Sequence, residues 1–151
     1  MMSFPSMWNA GLKKTNRWVS SSAEETQEIG KLLAEGLPKP LVICFSGDLG
    51  AGKTTLIKGF ASALTGINSH EVNSPTFTYL NIYEGTETLY HFDLYRLSGA
   101  EDFLMRGFDE YFEGICCIEW AEKIEEILPS NKAFITIKYL GETKREISYE
   151  I

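Results

Sequence analysis

The sequence predicts an α/β fold, a three-layer sandwich in which a mostly parallel central sheet is extended by antiparallel hairpins. Two short runs, Leu41–Ser46 and Ile115–Glu119, are almost wholly apolar, as is typical of strands covered on both faces. Segments with apolar residues at helical spacing lie between and around these runs. Two further pairs of β-prone segments are each joined by a short turn containing glycine, which favours antiparallel hairpins.

The first half of the chain supplies two helices and one strand. Ser22 and Glu25 form a capping box, which predicts the start of a helix that ends near Gly36. The buried strand Leu41–Ser46 follows. A glycine-rich turn then leads into a second helix, Lys53–Leu64.

The second half alternates hairpins, helices and a second buried strand. The alternation of apolar and polar residues and the turn signals define the boundaries. The predicted elements are a hairpin of Phe77–Tyr83 and Thr88–Asp93, a helix over Ala100–Phe112, the strand Ile115–Glu119, a short helix over Ala121–Leu128, and a terminal hairpin of Ala133–Leu140 and Lys144–Ile151.

Length and composition indicate one soluble domain. The chain has 151 residues, of which 44% are hydrophobic and 23% charged, a balance typical of globular proteins. No apolar run approaches the roughly 18 residues of a membrane span. Residues 1–17 show no periodicity and are expected to form a flexible N-terminal arm, whereas residues 18–151 are expected to form a single domain.

The net charge argues against a general nucleic-acid-binding face. Lysine and arginine number 14 and the acids 21, which gives −7. An acidic chain reaches RNA or DNA through a partner or a small local patch. The basic group of Lys13, Lys14 and Arg17 is more typical of a solvated arm than of a binding site.

The cysteines indicate a reducing compartment. Cys44, Cys116 and Cys117 lie in the apolar runs, are odd in number and show no C-x-x-C spacing, so neither a disulfide framework nor a zinc site is supported. The N-terminus lacks the apolar core of about 7–15 residues of a secretory signal. The expected localisation is cytoplasmic.

A phosphate-binding motif lies between the first apolar strand and the helix that follows it. The pattern G-x-x-x-x-G-K-[ST] is matched in full by Gly47, Asp48, Leu49, Gly50, Ala51, Gly52, Lys53 and Thr54. An accidental glycine turn with a surface lysine is the alternative, but the strand before the motif and the helix after it favour a nucleotide site.

The residue types of this motif suit a polyphosphate. Glycines allow unusual φ angles and close approach of backbone amides to the anion, and the helix start adds unpaired amides. Lys53 supplies a cation for the β- and γ-phosphates. The Thr54 hydroxyl can bind Mg²⁺, and Thr55 is placed to reach the α-phosphate.

Two acids are candidates for the chemistry. Glu119 ends an apolar strand, where it can hold a metal; alternatively it is a surface glutamate. Asp93 can orient the attacking water or hold a metal-bound water, or it is a turn or cap residue. His91 by itself is more typical of a structural histidine. Arg96 can sense phosphate or pair with Asp93.

Two residues flank these candidates. Thr76, in a Ser-Pro-Thr-Phe segment, can respond to the γ-phosphate or to Mg²⁺, or it stands at a proline-stiffened entry to the hairpin. Trp120 follows Glu119 directly and either packs beside the nucleotide or fills the core.

The order of motifs resembles one family. GDLGAGKTT, SPTF, YHFDLYRL, IEWAEKI and LP, in a chain this short, are similar to the bacterial TsaE (YjeE) family, from about Ser20 to the C-terminus. The resemblance implies a P-loop NTPase-like fold and an ATPase that acts with TsaB and TsaD to form N6-threonylcarbamoyladenosine in tRNA, at the adenosine 3′ of the anticodon. The four main motifs show no departure.

The resemblance also implies residue roles. Lys53 and Thr54 match the phosphate and Mg²⁺ contacts, and Glu119 matches the metal-binding acid. Asp93 and Trp120 match functional residues near the nucleotide. The region 22–26 corresponds to a segment that borders the nucleotide.

These observations together predict a mechanism. Mg·ATP is expected on residues 47–55, with Thr54 and Glu119 holding the metal, and Lys53, Asp93 and Thr76 taking part in catalysis. We expect slow hydrolysis by the isolated chain, because no arginine finger lies in a defined switch. TsaB and TsaD are the expected partners, tRNA is reached only through them, no membrane is involved, and the isolated chain is expected to be a monomer.

Two other classes of function stay open. A small-molecule kinase would need a lid and an acceptor pocket, often with several arginines, and the chain after residue 66 has only Arg96, Arg106 and Arg145. Phosphate transfer to a metabolite would favour that class. A non-hydrolysing nucleotide switch is the other alternative, and ADP release with and without the partners would distinguish it from an ATPase.

Overall fold

The computed structural model describes residues 15–47 and 52–151. Within this part, one seven-stranded sheet is combined with three α-helices and three short 3₁₀ segments. The strands are β1 Thr15–Ser20, β2 Val42–Gly47, β3 Leu80–Glu84, β4 Thr88–Asp93, β5 Ile115–Glu119, β6 Lys132–Tyr139 and β7 Arg145–Glu150. The α-helices are α1 Ala23–Gly36, α2 Lys53–Thr65 and α3 Ala100–Met105, and the 3₁₀ segments are Ser69–Glu71, Phe108–Glu113 and Ala121–Ile127.

The sheet is mixed, with a parallel centre and antiparallel edges. Its strand order is β1-β7-β6-β2-β5-β4-β3. The neighbours β6, β2, β5 and β4 are parallel, whereas the pairs β3/β4, β6/β7 and β1/β7 are antiparallel. Both predicted hairpins are therefore confirmed, as is the α/β class. The carboxyl ends of the four parallel strands lie at one edge of the sheet.

Apolar residues cover both faces of the sheet, as the continuous apolar runs predict. In β2, Ile43 and Phe45 belong to the core cluster that includes α1 and α2. Val42 and Cys44 belong to a second cluster, which includes Phe103 of α3. Because alternate residues of a strand point to opposite faces, helical elements pack on both sides of β2.

Two predicted helix starts are confirmed in detail. The Ser22 hydroxyl accepts a hydrogen bond from the Glu25 backbone N–H at 3.1 Å, which caps α1. The Glu25 carboxylate reaches back to the Ser21 N–H at 2.6 Å. The second helix begins at Lys53 and ends at Thr65, and its C-cap Gly66 has a φ of 83° in the left-handed region.

The N-terminal boundary differs from the prediction. Thr15–Ser20 forms β1 and pairs with β7, so Thr15, Asn16 and Arg17 belong to the sheet rather than to an arm. The segment lacks a clear alternating pattern because only Trp18 is an apolar residue facing the core, where it stacks on Tyr149 at 5.3 Å. The rest of the expected arm, residues 1–14, lies outside the described part.

Three elements of the second half are shorter than predicted. The first hairpin strand begins at Leu80 rather than Phe77, because a turn precedes it and Tyr79 has a φ of 67°. The helix expected over Ala100–Phe112 is interrupted by Gly107, whose φ is 73°. The short helix expected over Ala121–Leu128 is a 3₁₀ segment with non-helical backbone at Ile124.

The three cysteines are free and buried, as the sequence predicts. Burial raises the pKa of the Cys44 and Cys116 thiols to about 12. Thiols with such pKa values are protonated at neutral pH and unreactive. The cysteines therefore act as small apolar core residues.

None of the helices in the described ranges combines the length and the apolar character that a membrane crossing requires.

Candidate functional site

The candidate site is a cleft at the carboxyl ends of the parallel strands. In this region β2 ends at Gly47, β4 at Asp93 and β5 at Glu119. Ligands of α/β proteins gather at this edge of the sheet. The cleft has a volume of about 890 Å³ and is lined by Gly47, Gly52, Lys53, Thr54, Thr55, Ser74, Thr76, Asp93, Tyr95, Glu119 and Trp120. Every predicted site residue that the structure describes lies in it.

Asp48, Leu49, Gly50 and Ala51 lie outside the described residues, but the two ends of the motif are defined. Gly52 has a φ of 102° and is the N-cap of α2, in agreement with the expected role of a glycine there. Gly47 has a different reason to be glycine. Its φ is not positive, and a Cβ there would lie 2.5 Å from the carbonyl oxygen of Ile137 on β6.

The start of α2 offers groups for an anion. The N-cap residue Gly52 has no side chain that could accept a hydrogen bond. The first backbone N–H groups of the helix are therefore not capped by it. Lys53, half-buried, is the first residue of the helix, and Thr54 is exposed. Helix amides and a lysine ammonium together suit a phosphate group.

Glu119 is a buried carboxylate with two hydrogen-bond donors on one oxygen. Its Oε2 lies 2.8 Å from His91 Nε2 and accepts the Ser74 hydroxyl at 3.1 Å. Burial by itself raises the pKa of Glu119. The hydrogen bond and attraction from His91, the Ser74 hydroxyl and the charge of Lys53 outweigh burial, and the net pKa lies below its ordinary value. Glu119 is therefore ionised at neutral pH.

Asp93 is the register neighbour of Glu119 across the β4/β5 pairing. Its Oδ1 accepts the Tyr95 backbone N–H at 3.1 Å. Burial raises the pKa of Asp93, and the charge of Glu119 adds to the rise, although the Tyr95 N–H opposes it. The two carboxyl groups of the cleft thus have pKa values displaced in opposite directions.

Aromatic side chains form one wall of the cleft. Trp120 has a φ of 62°, in the left-handed region, and its side chain is partly exposed. Its ring lies 5.0 Å from the ring of Tyr95 and 5.2 Å from Lys53 Nζ. Strained backbone of this kind clusters at functional sites. Trp120 thus borders the cleft rather than filling the core.

The segment before the hairpin reaches the same cleft. Thr76 is exposed at the edge of the cleft. The Arg96 guanidinium lies 4.8 Å from the ring centroid of Phe77, the next residue along the chain. Of the two alternatives for Arg96, a pair with Asp93 is not formed, since no ion pair among the described residues joins them.

Sequence reasoning missed three residues of the site. His91, interpreted as a structural histidine, contacts Glu119, while Ser74 and Tyr95 also line the cleft. The period-2 pattern of β4 contained a signal for His91. Residues 91 and 93 lie on the same face of the strand, so His91 shares the face of Asp93.

A second, smaller cavity of about 350 Å³ adjoins the cleft. It shares Gly52 and Thr55 with the cleft and is also lined by Ser21, Ser22, Ala23, Thr26, Glu142, Thr143 and Arg145. The region 22–26, which the resemblance places at the border of a nucleotide, thus lies next to the start of α2.

The donor set of the cleft fits Mg²⁺ bound together with a phosphate. No cluster of three or more acidic, histidine or cysteine ligands occurs in residues 15–47 and 52–151, which disfavours an all-protein metal cage. One ionised carboxylate from Glu119 and the Thr54 hydroxyl are hard oxygen donors, and Mg²⁺ is usually held by few protein oxygens together with waters and phosphates.

Fold and site together define an α/β protein with a cleft at the carboxyl edge of its parallel strands, where a lysine, threonine hydroxyls and two carboxyl groups meet. Comparison with known proteins identifies the family. Residues 20–147 match the sequence model of the family described as threonylcarbamoyl adenosine biosynthesis protein TsaE. This chain belongs to the TsaE family.

Individual relatives agree with that assignment. The tRNA threonylcarbamoyladenosine biosynthesis protein TsaE of Bacillus subtilis is 46% identical over 139 residues, covering 90% of this chain and 85% of that protein. The protein of the same name from Treponema pallidum is 42% identical over 134 residues, covering 87% and 98%. The crystal structure of Bacillus subtilis YdiB superposes with a TM-score of 0.73 at 41% identity, covering 92% of this chain and 86% of that one.

Proposed function

We propose that this chain is the ATP-binding and ATP-hydrolysing subunit required for formation of N6-threonylcarbamoyladenosine in tRNA, at the adenosine 3′ of the anticodon, in concert with TsaB and TsaD. The observation that carries the proposal is the single cleft that gathers Lys53 and Thr54 of the phosphate motif with the carboxylates of Asp93 and Glu119. The family and the names of its relatives support the tRNA product.

The phosphates of ATP bind at residues 47–55 in this proposal. The start of α2 provides backbone amides and the positive end of the helix dipole. The Lys53 ammonium balances the charge of the β- and γ-phosphates. Gly47 and Gly52 both lie beside Ile137, and Gly47 allows the close approach of β2 to the backbone of β6. The adjoining cavity at Ser22 and Thr26 has room for the nucleoside end.

Thr54 and Glu119 would hold Mg²⁺. The lowered pKa of Glu119 keeps this carboxylate ionised, which metal binding requires. When bound, the ion would neutralise phosphate charge in the cleft.

Asp93 takes the role of positioning the attacking water and accepting its proton. The raised pKa of Asp93 makes it a better proton acceptor than an ordinary aspartate. Environments that move the pKa values of two acids apart assign them different roles. The ligand role therefore goes to Glu119 and the base role to Asp93.

Thr76 and Trp120 are the remaining cleft residues with a proposed role. Thr76 stands at the edge of the cleft, two residues from Ser74, which contacts Glu119. We assign Thr76 the response to the γ-phosphate, and Trp120 packs beside the nucleotide. Hydrolysis is slow in the isolated chain, because no arginine is among the described residues that line the cleft. We take the isolated chain to be a cytoplasmic monomer.

The decisive experiment is tRNA modification in a purified system with TsaB and TsaD. Lys53→Ala should abolish repeated rounds of modification, whereas Lys31→Ala, the same change at an exposed position of α1, should leave the yield unchanged. Multiple turnovers by Lys53→Ala would overturn the proposal. Calorimetry that detects no ATP or ADP binding at millimolar levels with Mg²⁺ would also overturn it.

The same preparation distinguishes the alternative functions. Transfer of the γ-phosphate to a metabolite instead of water would favour a kinase. Nucleotide-dependent partner binding without phosphate release would favour a switch.

A further inference from the structure

We propose that His91 is a positioning residue, which together with Ser74 fixes the carboxylate of Glu119 through one oxygen and leaves the other oxygen to the cleft. This inference rests on the proposed function, in which Glu119 holds Mg²⁺. It assigns a role to two residues for which neither the motifs nor the comparisons provide one.

The contacts of Glu119 are one-sided. Both hydrogen bonds described for its side chain reach Oε2, from His91 at 2.8 Å and from Ser74 at 3.1 Å. Glu119 also lines the cleft. A carboxylate held in this way has a fixed orientation, because one donor comes from strand β4 and the other from the loop that contains Ser74. Oε1 then remains for a ligand in the cleft.

The burial of the pair makes the contact strong and specific. The His91 side chain is 1% exposed and that of Glu119 is 6% exposed. A hydrogen bond to a charged group is stronger than one between neutral groups, and low local dielectric strengthens it further. Neighbouring strands supply both residues, since His91 pairs with Cys117 and Asp93 with Glu119 in the β4/β5 register.

The second ring nitrogen of His91 argues against a role in packing alone. Nδ1 is buried and has no hydrogen-bond partner among the described residues. A buried polar atom without a partner is destabilising, and an aromatic apolar side chain at this position would avoid that cost. The contact through Nε2 is the feature that an apolar residue could not reproduce. For that contact, Nε2 carries the proton, and this N–H donates a hydrogen bond to the Glu119 carboxylate.

Ser74 links Glu119 to the segment that contains Thr76. The Thr76 N–H donates to the Ser74 carbonyl at 3.0 Å, while the Ser74 hydroxyl donates to Glu119. A shift of this segment on nucleotide binding would therefore change the second anchor of Glu119. The first anchor, His91, belongs to the sheet and does not depend on the segment.

Two substitutions of similar chemistry separate positioning from packing. In His91→Gln the amide nitrogen takes a place similar to Nε2, whereas in His91→Asn the shorter chain cannot reach Glu119. The measurement is binding of a fluorescent, non-hydrolysable ATP analogue during Mg²⁺ titration and, separately, in EDTA. We expect His91→Asn to weaken the apparent Mg²⁺ affinity by about 10–100-fold, the usual effect of removing a group that orients a metal ligand.

The controls fix the interpretation. His91→Gln should restore most of the Mg²⁺ affinity, and binding in EDTA should be the same for both variants. Equal Mg²⁺ affinity of His91→Asn and the unchanged protein would overturn the inference. Loss in EDTA as large as that in Mg²⁺ would overturn it as well, because it would indicate a general structural defect.

Glu119→Gln keeps this test distinct from that of the proposed function. If Glu119→Gln leaves the Mg²⁺ dependence intact, the proposed metal ligand is wrong. If Glu119→Gln removes it but His91→Asn does not, only the inference about His91 fails.

A spectroscopic measurement applies even if His91→Asn does not fold. The imidazole signals in ¹⁵N NMR of the unchanged full chain report which ring nitrogen carries the proton. Protonation at Nε2, with a signal that shifts in Glu119→Gln, is the expected result. A neutral ring protonated only at Nδ1 would overturn the inference.

Discussion

Asp93 and Glu119 are direct neighbours in the pairing of β4 with β5, each as the last residue of its strand. Two carboxyl groups thus lie side by side at the edge of the sheet where the phosphate motif begins. The charge of Glu119 contributes to the raised pKa of Asp93. A cation bound in the cleft would relieve this repulsion.

Glu119→Ala should weaken nucleotide binding in Mg²⁺ by at least about tenfold, or about 1.4 kcal/mol, with a much smaller effect in EDTA. The reason is that the substitution removes the ionised oxygen donor assigned to the metal. Titration of a fluorescent ATP analogue in both conditions measures the effect. Glu122→Ala, at an exposed position nearby, is the matched control. Equal losses with and without Mg²⁺ would contradict the role.

Asp93→Asn should raise the Tm of the free protein at neutral pH while reducing ATP hydrolysis. The pKa of Asp93 is higher in the folded than in the unfolded state. Its contribution to stability is therefore fully present below the ordinary pKa of about 3.8 and is lost as the pH rises through the folded value. Asparagine avoids this loss and still offers an oxygen to the Tyr95 N–H.

Thermal melts in EDTA between about pH 4 and pH 8 measure this effect. The advantage of Asp93→Asn over the unchanged protein should grow as the pH rises above the ordinary pKa and should become constant above the folded pKa. Asp109→Asn, at an exposed position, controls for the loss of one negative charge. A lower Tm for Asp93→Asn at every pH would show that the carboxylate itself stabilises the fold.

Most of the sheet could be predicted because its strands have strong local patterns. The apolar runs at β2 and β5 indicate strands covered on both faces, and the capping box defines the start of α1. β1 could not be predicted in this way. Its pairing depends on β7, more than 120 residues away in sequence, and Trp18 is its single apolar core residue.

The 3₁₀ segments have a similar explanation. Gly107 interrupts the predicted helix after α3, and Phe108 then packs its ring 5.4 Å from those of Phe92 and Phe103. This cluster of aromatic rings is a tertiary feature that outweighs the helix propensity of the segment. Sequence periodicity alone does not report it.

The site was easier to predict than its supporting contacts. Motif spacing predicts Lys53, Thr54, Asp93 and Glu119 as site residues, because each lies at the end of a strand or at the start of a helix. The hydrogen bond between His91 and Glu119 joins residues of different strands. It depends on the β4/β5 register, which no local pattern specifies.

Trp120→Phe should abolish the change in intrinsic fluorescence when ATP binds. Lys53 Nζ lies 5.2 Å from the Trp120 ring, within the range of a cation–π interaction. A phosphate that attracts Lys53 will alter this contact and the polarity around the indole. Trp18→Phe is the control, since Trp18 is buried against Tyr149 on the far strand pair. A response that persists in Trp120→Phe would place its source elsewhere.

Gly47→Ala should destabilise the fold by about 1–3 kcal/mol, the usual cost of inserting a methyl group into a packed position. A Cβ at residue 47 would lie 2.5 Å from the Ile137 carbonyl oxygen. That atom belongs to the backbone of β6, which is parallel to β2 and cannot shift without disturbing the ladder. Urea denaturation measures the loss, with nucleotide binding as a second readout.

Gly141→Ala is the matched control for this substitution. A Cβ at residue 141 would have no described atom within 4 Å, and the φ of Gly141 is not positive, so the change should alter stability by no more than about 0.5 kcal/mol. A Gly47→Ala protein as stable as Gly141→Ala would show that β2 and β6 can separate at this point. The requirement for glycine at the start of the phosphate motif would then come from the bound phosphate rather than from the sheet.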